Sequence, residues 1–168
     1  MSKIAYADPP YLGCANLYPE MQEVDHAELI TQLGAYDAWA LSCHTPSLKV
    51  LLPMCPDNTR VAAWVKPFCS FKPNVNPAYA WEAILFKALP RNREIKTVRD
   101  WVSANITLKK GLVGAKPTDF CYWLFELLGA RENDEFYDLY PGTGIVTKCW
   151  QSWCKAKRCS QEVMNLNL

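Results

Sequence analysis

Residues 8–11 read Asp8-Pro9-Pro10-Tyr11 and follow a short apolar run, KIAYA. Each proline lacks a backbone donor and holds the residue before it extended. Asp8 and Pro9 are therefore both extended, and the chain leaves its strand as a stiff hook. The hook fixes three groups relative to one another: a carboxylate, a free carbonyl and a flat ring. A bare Pro-Pro is usually no more than a strand-ending loop. The acid before this one and the tyrosine after it give it chemical content.

A second candidate stretch lies far downstream: Asp138-Leu139-Tyr140-Pro141-Gly142-Thr143-Gly144. It reads as strand, turn, helix. Glycines let a ligand approach the backbone, and the following helix start offers N–H groups and a positive dipole end. A dinucleotide-binding pattern needs a third glycine where Thr147 stands, and a P-loop needs a Gly-Lys-Ser/Thr ending that is missing. Taken alone, PGTG is equally an ordinary tight turn.

Both stretches need strands beneath them, and the hydrophobic pattern supplies these. Buried strands are expected at 3–7, 38–43, 59–66, 81–88 and 135–140. A short helix capped by Asp25 runs through Leu29, Ile30 and Leu33 to Gly34. Another, at 47–55, breaks near Pro53. The clearest helix is 116–130, with Pro117 in its first turn, Gly129 at its end and Phe120, Trp123, Leu124, Leu127 and Leu128 on one face. A last helix at 145–157 turns Ile145, Val146, Cys149, Trp150 and Trp153 inward. Segment 67–78 reads as a binding loop, and 90–115 as irregular with one helical turn near Thr97–Val102. Strands alternating with helices, with no composition break, imply a single α/β domain over 1–168 with a mostly parallel sheet flanked by helices. In such sheets ligands bind beyond the carboxyl ends of the strands, where both candidate stretches fall.

Composition narrows the chemistry. No apolar run reaches the roughly 18 residues of a membrane span, and no basic-then-apolar leader opens the chain. The chain has eight cysteines but no CxxC, and Cys149, Cys154 and Cys159 recur at a spacing that suits neither one helix face nor a metal site. They read as reduced and mostly packed, in a cytoplasmic setting. His26 and His44 read as surface or loop residues, and Trp64, Trp81 and Trp123 as core. Net charge is +1 but uneven: residues 1–59 carry seven acids and two bases, and 60–168 carry ten and sixteen. Arg91, Arg93, Lys96, Arg99, Lys109 and Lys110 form one basic cluster, and Lys148, Lys155, Lys157 and Arg158 another. Each is either a solvated face or a contact for a phosphate backbone.

Together the two stretches resemble the S-adenosylmethionine-dependent amino-group methyltransferases, whose signatures are [DNS]-P-P-[YFW] and D-x-F-x-G-x-G. DPPY (8–11) comes first here and DLYPGTG (138–144) last, which is the permuted order. The opening YADPPYLGCANLYPEM, the stretch AAWVKPF (62–68), the strand WEAILF (81–86) and the Lys-Pro of GAKPTDF (114–120) are similar to blocks of one permuted family. That family holds the eukaryotic mRNA N6-adenine methyltransferase and its bacterial and phage relatives. The similarity covers roughly residues 3–153.

The resemblance implies a Rossmann-like methyltransferase fold and methyl transfer from S-adenosylmethionine to N6 of adenine. Asp8 and Pro9 would accept the two amine hydrogens, Pro10 would stiffen the hook, and Tyr11 would stack on the base. Ala7, Asp8, Lys116, Asp138, Tyr140, Gly142, Thr143 and Gly144 would form the cofactor site, with Lys116 on the methionine carboxylate. From the residue alone, Lys116 is equally an exposed helix-start lysine. Tyr18 and Lys66 would contact substrate, and no metal is called for. The compact layout is similar to enzymes carried by bacterial viruses, which favours DNA over RNA and a bacterial host cytoplasm. The rival readings are an adenine methyltransferase that acts on RNA and a non-catalytic nucleic-acid-binding module of the same fold. In most relatives further strands follow the glycine motif, and here about a dozen residues remain after the last helix. The sheet is therefore expected to end at strand 135–140 with an open edge, covered by the tail or by a second subunit. Alternatively, residues 160–168 form a short strand that continues the sheet, with Gln161, Glu162 or Asn165 on the cofactor ribose.

Overall fold

Ile4, Ala5, Tyr6 and Ala7 are all fully buried, as a strand covered on both faces must be. They belong to β1 (Lys3–Ala7). The computed structural model describes residues 1–17, 22–68, 73–90, 97–106 and 115–166. Five more strands complete one sheet: β2 (Ala38–Cys43), β3 (Arg60–Val65), β4 (Trp81–Lys87), β5 (Trp101–Ser103) and β6 (Glu135–Asp138). Their spatial order is β5-β3-β4-β2-β1-β6. β1 pairs in parallel with β2 and β6, and β3 with β5; β4 runs antiparallel to both β2 and β3. Five strands therefore share one direction and β4 alone is reversed.

The helices are α1 (His26–Leu33), α2 (Leu48–Leu51), α3 (Thr118–Leu128) and α4 (Ile145–Leu166). Asp25 caps α1 by accepting from the Glu28 N–H at 3.0 Å. Gly129 ends α3 in the left-handed conformation at φ 74°. One core lies beneath α3 and α4, built on Ile4, Tyr6, Ile84, Phe86, Phe120, Leu124 and Phe125. The other lies beneath α1 and α2, built on Ala5, Leu29, Leu33, Trp39, Leu41 and Leu85. Phe125 is the hub of the first. Its ring lies 5.2 Å from Phe136, 5.1 Å from Trp150 and 5.7 Å from Trp153. One ring thereby ties α3, α4 and β6 together and sets where the turn before α4 stands.

Five expectations are corrected. Residues 101–103 form a strand, not a helical turn: the free edge of β3 takes up Asp100 and Ala104 through bonds of 2.9 and 3.0 Å. The tail forms no strand; α4 continues to Leu166, since nothing after Lys157 is a glycine or proline to stop it. Pro117 is the N-cap of α3, outside its first turn. His26 is buried at the start of α1, its Nδ1 2.9 Å from the Val24 carbonyl. Trp81 is 39% exposed and not in the core, because no helix among the described residues covers that end of β4. Among the described residues β6 is the outermost strand on that side of the sheet, which is the edge expected where the tail adds no strand.

Phe125→Ala is expected to lower unfolding free energy by about 3–5 kcal/mol, and Tyr137→Ser, at a partly exposed ring that meets Tyr36 and donates to Glu135, by less, about 1 kcal/mol. Urea titration of the two variants beside the parent protein measures both.

Candidate active site

Because five strands are parallel, their carboxyl ends lie along one rim of the sheet. Ala7, Cys43, Val65 and Asp138 end their strands there, and the reversed β4 begins there at Trp81. The residues just beyond are the hook 8–11, His44, Lys66 and the turn 139–144. β1 and β6 are neighbours in register, Tyr6 opposite Asp138. The Leu139 N–H donates to the Tyr6 carbonyl at 2.9 Å, so the two candidate stretches leave the sheet side by side.

Between them lies a cavity of ≈ 840 Å³ lined by Asp8, Pro10, Leu139, Tyr140, Pro141 and Gly142. Gln22, Glu23, Val24, Asp25, Glu28, Leu29 and Gln32 form its opposite wall. Gly142 has φ +46°, in the left-handed region that favours glycine, and nothing lies within 4 Å of where a Cβ would sit. The glycine thus makes the turn and leaves space for a ligand against its backbone. The Gly144 N–H closes the turn by donating to the Pro141 carbonyl at 2.6 Å.

On its other side Asp8 joins a buried charge network. Lys116, only 5% exposed, places Nζ 2.9 Å from Asp8 Oδ2 and 3.3 Å from Glu82 Oε2. Glu82 also pairs with Lys66 and accepts a hydrogen bond from Tyr11. The rings of Trp64 and Phe120 lie 5.3 and 5.9 Å from the Lys116 ammonium. Burial alone would push Lys116 toward neutrality, and the Asp8 and Glu82 carboxylates overturn that and hold its pKa raised. Burial likewise opposes the charge on Glu82, but Lys116 and Lys66 hold it below its ordinary range. At Asp8 burial outweighs Lys116, so its carboxyl is raised. Tyr11 is raised by burial and then by the Asp8 and Glu82 charges, which keeps it a neutral donor. Its ring stacks on His44, centroids 5.3 Å apart and planes 3° from parallel. His44 Nδ1 in turn meets Ser47 Oγ at 2.8 Å.

The sequence-derived site residues divide accordingly. Asp8, Pro10, Tyr140 and Gly142 share the cavity. Ala7 is buried at the strand end, and Pro9 and Tyr11 complete the hook. Lys116 stands behind Asp8 and does not line the cavity. Asp138 accepts from Thr147 Oγ1 at 3.1 Å at the base of the turn; burial raises its pKa. Thr143 and Gly144 form the turn without lining the cavity. Lys66 is held by Glu82. Tyr18 lies outside the described residues, as do Arg91, Arg93, Lys96, Lys109 and Lys110, and the described backbone carries Gln161, Glu162 and Asn165 within α4. Sequence reasoning missed Glu82, the role of His44, and the α1 wall. Glu82 did leave a signal, being a lone carboxylate in an apolar strand, which needs a cationic partner.

Fifty-one chains of solved structures match this one in three dimensions. Among them is the crystal structure of an M1.HpyAVI–SAM complex, with TM-score 0.56 and 14% sequence identity over 90% of this chain and 78% of that one. At that identity the likeness is one of fold: a Rossmann-like α/β sheet flanked by helices. No family model matches the sequence, and no curated protein matches it.

Lys116→Met removes the cation paired with Asp8 and leaves Glu82 with Lys66 alone, and is expected to cost about 3–5 kcal/mol near neutral pH. Glu82, held low in the parent, contributes stability above the ordinary glutamate range and loses it as pH falls through its folded value. In the variant Lys116 no longer offsets burial at Asp8 and Glu82, so protonation favours the folded state. The stability gap between variant and parent should therefore narrow as pH falls from neutral toward about 4–5. Urea unfolding across that range measures it; a constant gap would mean that something other than the ion pairs is lost.

Proposed function

We propose that the protein methylates the N6 amine of adenine in DNA, using S-adenosylmethionine. One observation carries the reading: the rigid acceptor hook and the glycine bend meet at a common cavity with Asp8 in its wall. The residues of that cavity suit the cofactor. Its volume is of ligand size, Gly142 leaves backbone open to it, and Asp8, Glu23, Asp25 and Glu28 give it an acidic lining that favours a cation. The fold likeness to a protein solved with SAM supports the same reading. Tyr140, Pro141 and Gly142 would border the cofactor on one side and α1 on the other. Lys116 reaches the cofactor carboxylate only by turning from its carboxylate partners. Bound there, S-adenosylmethionine supplies an electrophilic methyl carbon on a sulfonium.

The chain's own groups do the rest. An exocyclic adenine amine is a poor nucleophile because its lone pair is delocalised into the ring. Asp8 Oδ1 and the Pro9 carbonyl each accept one N–H, which favours a tetrahedral nitrogen with its lone pair directed along one line. Pro10 keeps the two acceptors from rotating apart. Lys116 partly offsets the burial that raises the Asp8 carboxyl; in its ionised form Asp8 accepts the N–H and stabilises the positive charge that develops on the nitrogen. Tyr11 offers a ring face to the base, held in plane by His44 and at its hydroxyl by Glu82. Positioning and charge stabilisation are the catalysis, and no histidine needs to exchange a proton.

Asp8→Asn keeps the shape of the hook but turns one acceptor partly into a donor. Its kcat is expected to fall by about 10²- to 10³-fold with cofactor affinity within about tenfold of the parent. Transfer of label from S-adenosylmethionine to duplex DNA, single-stranded DNA and RNA measures it, beside calorimetric cofactor binding. Undiminished transfer by the variant would remove Asp8 from the mechanism. Cofactor binding without any transfer by the parent would leave a binding module.

A further inference from the structure

Five large aromatic side chains among the described residues are more than a third exposed, and four of them lie on the β3–β4–β5 side of the molecule. They are Phe68 at 57%, Tyr79 at 52%, Trp81 at 39% and Trp101 at 44%. Alternation places two of them on one sheet face. Ala62 and Trp64 of β3 point into the core beneath α3 and α4, and Val102 of β5 packs against that core. Trp81, opposite Val65, and Trp101, opposite Ala63, therefore project from the other face. There α1 and α2 cover Ala83 and Leu85 of β4, and no described helix covers β3 or β5; Val61 on the same face is 38% exposed. The two indoles flank β3, two strand spacings across and two residues along it, so their backbones are about 12 Å apart. That exceeds the 3.4 Å step between stacked bases, so each ring has room for its own base.

Charge and position indicate the occupant. The Arg99 guanidinium lies 5.5 Å from the centre of the Trp101 ring, which sets a cation beside a stacking surface. Flat rings with an arginine suit unpaired nucleotides, because every base has a π-face and every nucleotide a phosphate. The patch also continues to the candidate active site. Trp81 is bonded to Glu82, which holds Tyr11 through its hydroxyl. Lys66, next to the strand end at Val65, pairs with Glu82, and its N–H donates to the Ala80 carbonyl at 2.8 Å. Phe68 follows the end of β3 and Tyr79 precedes the start of β4, so both exposed rings belong to chain at the same rim.

We propose that this face binds the unpaired DNA strand that flanks the target adenine, with Trp81 and Trp101 each stacking one base and Arg99 meeting the backbone. The inference rests on the proposed reaction and makes single-stranded DNA the preferred substrate. A strand whose adenine lies against Tyr11 crosses the rim at Phe68 and Tyr79 and descends along β3. No base need be flipped from a duplex, and no separate recognition domain is needed to hold the strand.

The test uses the whole chain and a fluorescein-labelled, adenine-containing oligonucleotide as single-stranded DNA, duplex DNA and RNA of one sequence, at fixed salt. Anisotropy gives Kd and label transfer gives KM and kcat. Trp81→Ala and Trp101→Ala are each expected to raise Kd and KM for single-stranded DNA about 5- to 150-fold, with kcat at saturation and the melting temperature little changed. Trp101→Phe should restore most of the affinity, and Arg99→Glu should weaken binding and flatten its salt dependence. Unchanged Kd in both alanine variants overturns the proposal, as does tighter binding of duplex or of RNA by the parent. Loss of self-association in the variants, with DNA affinity intact, would assign the face to a second copy of the chain and overturn it too. Methyl transfer to DNA with KM unaffected by the tryptophans sinks the platform and leaves the reaction standing. Tryptophan-dependent strand binding with no transfer does the reverse.

Discussion

An ammonium group in an apolar core must have anions beside it, and Lys116 is such a group. Aromatic rings flank it on one side, and two carboxylates from different segments meet it on the other. Satisfying this one charge joins the tip of β1, the first residues of β4 and the lead into α3. Lys66 completes the set, so two cations and two anions alternate within it. A buried ion network of this kind is a poor source of stability, because apolar residues of similar volume often serve as well. Its value is geometric. It fixes where Asp8 stands and partly offsets the burial that raises that carboxyl, and it holds Tyr11 through Glu82.

The reversal of β4 makes that network possible. Glu82 is the second residue of its strand. In a parallel strand the second residue would sit at the far edge of the sheet, away from every other group of the site. Running β4 antiparallel between β2 and β3 brings its beginning to the rim where its neighbours end. Downstream, the cluster of Phe125, Phe136, Trp150 and Trp153 does the corresponding work for the turn. It locks α4 against α3 and β6, so the Pro141–Gly144 bend has a fixed base on which Gly142 can face the cavity.

Much of this was legible in the chain. β1 and β2 are continuous apolar runs, and α3 shows apolar residues at i, i+3, i+4, i+7 and i+8; both patterns are local and survive without tertiary context. The hook and the glycine bend were legible because proline and glycine act on their own backbone. What escaped depends on partners distant in sequence. Three residues of β5 are too few for alternation to register, and only the free edge of β3 makes them a strand. Trp81 reads as core until it is known that no helix among the described residues covers its face of β3 and β5. His26 reads as a surface residue until the Val24 carbonyl and the α1 packing enclose it. Lys116 reads as a solvated helix-start lysine because its two anions come from residues 8 and 82, far from it in the chain.

Charge then divides the rim into two unlike halves. Asp8, Glu23, Asp25 and Glu28 border the cavity. Asp25 is engaged as the α1 cap, and Glu23 lies 3.4 Å from the Gly13 and Ala15 N–H groups, so these acids are fixed by structure and cannot simply turn away. A field of that sign attracts a sulfonium and repels a phosphate backbone. Beyond the hook Lys66 is paired with Glu82 and Arg60 with Asp100, Arg99 stands at the Trp101 ring, and the acidic excess gives way to an aromatic surface. On the proposed reaction a cationic cofactor and a polyanionic strand must approach one atom without exchanging places. Asp8 stands on the boundary, belonging to the acidic cavity by its lining and to the lysine network by its pairing. The sorting of the two ligands and the alignment of the amine would therefore depend on the same carboxylate.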